Sequence, residues 1–235
     1  MEHEHTPEAI RARLAQGPRS SYLRDWVYGG IDGSVTTFAV VTGVVGANLS
    51  PTIILILGIA NLLGDGFSMA ASNYLGTRTE RQEADALRAQ ETRHIAADPE
   101  GEREEVRQIF ASKGFAGEDL ELVVDVVTAD HERWIRFMLS EEHGLPQQAR
   151  SAARAAWSTF GAFVLCGLVP LLPFVARARN AFAISIAMTL MVFFTVGSAR
   201  SRWLVVPWWR AGLETLGVGA IAALLAYAAG LVMRT

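Results

Sequence analysis

Residues 33–64 read GSVTTFAVVTGVVGANLSPTIILILGIANLLG, without one Asp, Glu, Lys or Arg. A helix crossing a bilayer core needs roughly 20 consecutive apolar residues. This run is too long for one crossing. It breaks at Asn48-Leu49-Ser50-Pro51, a turn signal, and so reads as one span plus most of a second. Three more charge-free runs follow: Ala155 to Ala176, Asn180 to Ala199 and Thr215 to Met233. Each fits one span. A soluble protein with several buried helices is the competing reading. It is disfavoured because soluble helices carry a charged face that these runs lack. The expectation is an all-α integral membrane protein with five transmembrane helices, near 27–48, 51–75, 153–175, 180–199 and 211–233.

Between spans two and three lies a polar stretch, 76–150, with 17 acidic and 10 basic residues; the remainder has 7 acidic and 11 basic. The insert is therefore net −7 on a body of net +4, a distribution that attracts cations. The expected organisation is an N-terminal segment 1–25, spans one and two over 26–75, the acidic insert 76–150, and spans three to five over 151–235. The N-terminal segment, polar through Asp25, offers no cleavable signal and reads as a tip followed by a short amphipathic helix. Its Glu2-His3-Glu4-His5 can bind metal but reads more simply as a polar tip. A single cysteine, Cys166, excludes disulfides and a thiolate metal cluster.

Short-loop arginines set orientation. Arg11, Arg13, Arg19, Arg24, Arg200, Arg202 and Arg210 fall on one side; Arg177, Arg179 and Arg234 fall on the other. The N-terminus and the insert are expected in the cytoplasm. Trp26, Trp203, Trp208 and Trp209 lie at span ends, as interfacial belts require.

The insert reads as three helices. The first continues span two to about Ala97 and stops at Asp98-Pro99. The second runs from about Glu102 to Ser112. The third covers roughly Glu118 to His143, with Thr128 marked as a point where it can break. On the first helix Glu80, Glu83, Glu91 and His94 share an arc of about 80°. Carboxylates and imidazole suit Fe2+, Mn2+ or Zn2+. Glu80 and Glu91 stand about 16 Å apart along the axis, so the stripe makes two pairs, each needing ligands from another helix. Met138 and Glu142, at i and i+4, form a further face on the third helix. A solvated helix surface accounts for the same acids, and a methionine at this spacing is more often core than ligand.

Inside the membrane, Asp32 opens span one and Asp65 interrupts span two. A charge at mid-membrane costs about 2.5–3.5 kcal/mol on insertion scales, and such residues usually face a bundle interior or a water path. Asn61, Asp65, Met69 and Asn73 recur every four residues as one polar, sulfur-bearing stripe. An ion path fits these groups better than hydrogen bonding between helices alone.

The residues that carry this polarity also carry a likeness. Asp32-Gly33 with Phe38-Ala39, Ser68-Met69-Ala70 with Tyr74, Gln108 through Phe115, and Phe137-Met138 through Glu142 with Gly144-Leu145 resemble the vacuolar iron transporter family, in order and spacing, over nearly the whole chain. A bacterial-type member in a plasma (inner) membrane is expected. The resemblance implies a homodimer of five-span protomers, each with a three-helix cytoplasmic metal-binding insert. It implies export of Fe2+ first and Mn2+ second from the cytosol, in exchange for protons, with no organic cofactor and no nucleic-acid partner. Glu80, Glu83 and Glu91 match three ligand positions of the family, with His94 standing at a fourth; Met138 and Glu142 match ligands of its third insert helix. Asp25, Asp32 and Met69 match its path residues. The family's span-two Glu falls at Asn61, and Asp65, one turn on, is read as carrying that carboxylate. Two other classes stand beside a transporter, which is not an enzyme. One is a membrane-tethered ferroxidase, because Glu91-Thr92-Arg93-His94 is a Glu-x-x-His. The other is a metal-sensing binding protein anchored by its spans.

Overall fold

The computed structural model describes residues 6–16, 21–146, 150–202 and 205–234. Among them every regular element is helical. In chain order these are α1 (Pro7–Gln16), α2 (Leu23–Gly46), α3 (Pro51–Ala97), α4 (Pro99–Ser112), α5 (Gly117–Thr128), α6 (His131–Glu141), α7 (Ala152–Leu168), α8 (Leu172–Val175), α9 (Ala181–Ala199) and α10 (Trp208–Val232). The Glu2–His5 tip lies outside the described residues. Five helical stretches are long and apolar enough to cross a membrane: Leu23–Gly46, Pro51–Ala97, Ala152–Val175, Ala181–Arg202 and Trp208–Val232. The chain is an integral membrane protein. It divides into two compact units, one holding the described residues of 21–75 and 151–234, the other α1 with the described residues of 76–150.

In the first unit α2 is the central element and packs on α7, α10 and α9. Small residues permit this. In lipid, helices gain little from the hydrophobic effect and associate through close backbone approach. A Cβ on Gly29 would lie 2.3 Å from the Thr159 carbonyl oxygen, and one on Gly33 the same distance from that of Phe163. The Gly29-x-x-x-Gly33 face is therefore in backbone contact with α7. On the other side of α2, a Cβ on Gly230 of α10 would come within 2.1 Å of the Gly43 carbonyl oxygen. Phe38, Val41, Phe163 and Phe193 fill the core between them, and Ile54 and Leu62 of α3 reach into it. The rings of Phe38 and Phe193 meet edge to face, 6.4 Å between centroids.

The turn between the first two spans is built as its residues dictate. Asn48 takes the left-handed conformation, φ 56°, which asparagine tolerates better than most residues, and Pro51 opens α3. The third span is not one helix. Pro170 and Pro173 interrupt it with a 3-10 turn at Val169–Leu171 before α8, because proline lacks the donor that an α-helix needs. The Ser185 hydroxyl of α9 donates to the Pro170 carbonyl at 2.7 Å, supplying a partner that water cannot supply in a bilayer. The apolar outer face of α3, including Ile56, Leu63 and Phe67, is exposed.

In the second unit α3 ends at Ala97 because Asp98 leaves the helical conformation and caps α4. Its side chain accepts from the Gly101 amide at 3.0 Å, and Pro99 occupies the first turn. The expected third insert helix is two helices, broken where Asp130 accepts from the Arg133 amide at 2.7 Å and starts α6. Ile95, Val106, Phe110, Val124, Trp134, Ile135 and Met138 form the core. The surface of α4 to α6 is tied by ion pairs: Arg107 with Glu104 and Glu121, Arg103 with Asp125, and Lys113 with Glu141.

Gly33→Val should separate α2 from α7 and destabilise the protein by about 1–3 kcal/mol, the usual cost of overpacking. Gly161→Ala, where a Cβ meets open space, should be neutral or mildly stabilising. Thermal denaturation in detergent, followed by the loss of monodisperse protein on size exclusion, compares the two.

Candidate metal centres

Two sets of carboxylates stand apart from the rest, one in each unit. In the membrane unit α3 carries the stripe Asn61, Asp65, Met69 and Asn73, and its two ends are anchored. The Asn61 amide donates to the hydroxyls of Thr36 and Thr37 on α2, both at 3.2 Å. About 18 Å further along the axis, the Asn73 amide donates to Asp25 Oδ1 at 3.0 Å and to the Thr159 hydroxyl of α7 at 2.7 Å. Asp25 is buried. Asp32 is half-buried and Asp65 exposed. Met69 packs against the apolar core. Asn61, Asp25, Asp32, Asp65 and Met69, the residues expected to line a path, thus lie on the facing sides of α2 and α3. Asn61 and Asp25 are in structural hydrogen bonds, and Asp32 and Asp65 are the carboxylates left between the anchors.

In the second unit the metal-type residues converge on Glu91. This side chain is only 2 % exposed, and its Oε2 has no hydrogen-bond partner among the described residues. Its Oε1 lies 3.1 Å from His143 Nε2, an atom that is also 3.7 Å from Glu142 Oε2. On α4, Glu102 is 7 % exposed and its Oε2 is likewise without a partner among the described residues; its Oε1 is 3.4 Å from His94 Nδ1. Two three-residue groups, Glu91 with His94 and Glu102, and Glu91 with Glu142 and His143, each bring their ligand atoms within 4.8 Å of one another. Among the described residues the ion pairs to Glu91, Glu102 and Glu142 come from histidines alone. This separates them from the arginine-paired acids of the surface. Burial pushes the Glu102 carboxyl above its ordinary range, and the negative charges of Glu105 and Glu91 add to the effect while His94 opposes it. Glu142 is raised by its partial burial, with His143 opposing and Glu91 and Glu105 adding. By contrast, the guanidinium of Arg107 holds Glu104 and Glu121 below the usual carboxylate range.

Of the six expected ligands, Glu91, His94 and Glu142 are brought together. Glu80 and Glu83 are exposed and belong to neither group. Met138 is fully buried in the apolar core. Glu102 and His143 were not anticipated from the sequence. Glu102 lies on a separate helix, and its only signal was a run of acids. His143 directly follows an expected ligand, which was a usable cue.

Residues 23–231 match the VIT family over nearly the full length of the chain. The chain belongs to the VIT family. It is 32% identical over 208 residues to the vacuolar iron transporter 1 of Arabidopsis thaliana, covering 87% of this chain and 83% of that protein. It is 31% identical over 196 residues to the vacuolar iron transporter of Toxoplasma gondii, covering 78% of this chain and 65% of that longer protein. With the vacuolar iron transporter 1 of Oryza sativa it shares 28% identity over 236 residues, 99% of this chain and 91% of that one. These VIT proteins are eukaryotic and lend nothing to a bacterial-type assignment.

A VIT-family insert that buries a carboxylate oxygen without a donor gives up stability for it. The folded-state pKa of Glu102 lies above its ordinary 4.5. The folded protein therefore binds a proton more tightly than the unfolded chain, and stability falls as pH rises from 4.5 through the raised value. Glu102→Gln should remove that part of the pH dependence and stabilise the metal-free protein at neutral pH by about 1 kcal/mol. Chelator-treated protein melted by circular dichroism between pH 4 and 8 reads both effects.

Proposed function

We propose that this protein moves a divalent cation, Fe2+ before Mn2+, out of the cytosol across its membrane in exchange for protons. The observation that carries the proposal is the pair Asp32 and Asp65, left between two hydrogen-bonded anchors in otherwise apolar spans. Carboxylates placed within apolar spans favour the arrival of a cation or a proton. The names of the relatives, vacuolar iron transporters, support iron as the cargo.

The acidic insert captures ions on the cytosolic side, through Glu91, His94 and Glu142 with Glu80, Glu83 and Met138 as contributors. Asp32, Asp65 and Met69 carry the ion across. Carboxylate and imidazole donors with a thioether suit a borderline ion such as Fe2+ better than Ca2+ or Mg2+. A homodimer would cover the exposed apolar face of α3 and enclose Asp65, which one protomer leaves exposed. Seven short-loop arginines against three support a cytosolic N-terminus and insert. Vacuolar and plasma membranes are both exits from the cytosol. Charge exchange follows from the chemistry: a cation entering between the two aspartates displaces whatever protons balanced them.

A ferroxidase is the second reading. The cluster around Glu91 unites three carboxylates with two imidazoles, more than Glu91-Thr92-Arg93-His94 alone offers. Among the described residues it lacks a second Glu-x-x-His, which di-iron helical bundles use. Oxygen uptake by the purified protein with Fe2+ and no gradient would favour it.

Asp32→Ala should lower metal flux into proteoliposomes at least ten-fold and leave ion binding by the insert intact. Flux that survives the substitution would rule Asp32 out of the pathway.

A further inference from the structure

The insert is strongly acidic, yet one concavity in it is lined with arginine. A pocket of about 570 Å3 between α3 and α6 has Arg88, Arg133 and Arg136 on its wall. Glu141 is the one acid among the described residues that line it, and Lys113 takes its charge. Arg88 is paired with Glu132, and that acid also lies in the field of Arg136. Three guanidiniums against Glu132 leave the wall net positive, in a domain where acids outnumber bases 17 to 10.

Exposed arginines in water need no partner. These are distinguished by how they are held and by what stands beside them. Arg133 Nη1 donates to the Val126 carbonyl at 2.6 Å, and Arg136 Nε donates to the Glu132 carbonyl at 3.1 Å. Each bond uses one N–H of a guanidinium that has five and orients the rest of its planar fork. Neither arginine makes an ion pair among the described residues, whereas Arg103 and Arg107 are matched by acids. An apolar wall completes the pocket. Gly144 takes the left-handed conformation, φ 64°, and turns the chain back so that the Leu145 amide donates to the Leu139 carbonyl at 2.9 Å. Leu139, Leu145 and Pro146 then line the pocket. Sites for small organic ligands are usually about 300–1,000 Å3 and join such a wall to a few placed polar groups.

We propose that this pocket binds a small phosphate ester, its oxyanion held by Arg133 and Arg136 and its organic body lying on Leu139, Leu145 and Pro146. A carboxylate would balance only one of the two free guanidiniums. A phosphate monoester carries close to two negative charges near neutral pH and accepts from two arginine forks at once. Arg88, shared with Glu132, is a third donor within the same wall. The same group occurs on soluble phosphate esters and on phosphorylated lipid headgroups, and this chemistry recognises either. The site does not depend on the cargo or the direction of transport.

Phenyl phosphate is a probe with both features, an oxyanion and an apolar body. Titrated calorimetrically into the chelator-treated full-length protein in phosphatidylcholine nanodiscs, it should bind at one equivalent per protomer and at least ten-fold more tightly than inorganic phosphate. Arg133→Gln and Arg136→Gln should each weaken it at least ten-fold. Arg93→Gln, exposed on α3 and outside the pocket, should leave it unchanged. If Arg133→Gln does not fold once its bond to Val126 is lost, Arg136→Gln carries the comparison with Arg93→Gln. Nanodiscs doped with a phosphatidylinositol phosphate separate the two sources: phenyl phosphate excluded from the wild type assigns the site to a headgroup, and undiminished binding assigns it to a soluble ester. No bound phenyl phosphate, an affinity no higher than that for inorganic phosphate, or an equal loss in Arg93→Gln would each overturn the site.

Discussion

Glu91 sits almost wholly out of water with one oxygen to which nothing among the described residues donates. A buried carboxylate oxygen with no donor is costly, and proteins avoid one unless a proton or a cation relieves it. The neighbours of Glu91 relieve it only on one side: His143 Nε2 lies 3.1 Å from Oε1, and the next carboxylates, Glu102 and Glu142, add negative charge. The helices around it are arranged to keep this condition. Asp98 turns the chain so that α4 brings Glu102 back toward α3, and Asp130 breaks the last long helix so that α6 ends at Glu142 and His143. The apolar core of Val106, Ile135 and Met138 fixes the elements that hold the ligands.

The membrane unit meets the same constraint by other means. Helices in lipid cannot be held by the hydrophobic effect, so α2 relies on glycines that let backbones touch and on hydroxyls and amides that find partners across helices. Asn61 and Asn73 fasten α3 at two levels, and the stretch between them carries Asp65 and Met69 toward α2. A polar stripe with only amides would be a structural seam. Asp65 within it, with Asp32 on α2, makes the stripe sensitive to charge. The exposed apolar residues on α3 are then a surface awaiting lipid or a second copy.

The spans were legible in the sequence because charge is the property a bilayer selects on, and four charge-free runs mark them. Their ends were legible to within a few residues where Asn48, Pro51 and Pro99 act locally. The split of the third span by Pro170 and Pro173 was visible in principle but overridden by the continuous apolar run. The break at Asp130 was foreseen only as a weak point near Thr128, since no glycine or proline marks it; the cap itself was the signal. In the cluster, a single-helix projection found Glu91 and His94 but could not find Glu102, because its partnership with His94 exists only once α4 folds back. Asn61 was read as a position where a carboxylate had been lost. Its amide instead holds α3 to Thr36 and Thr37, a role that spacing along one helix does not reveal.

A carboxylate pair in the spans and a histidine–carboxylate cluster in the insert make sense together if a cation visits both. Uptake of Fe2+ by liposomes containing only the purified protein, with and without an opposing pH gradient, tests that claim most directly. Accumulation of iron that is accelerated by the gradient and accompanied by proton movement in the opposite direction is the expected result. Iron bound by the protein but never delivered to the lumen, with or without the gradient, would contradict transport and leave a membrane-anchored metal-binding protein.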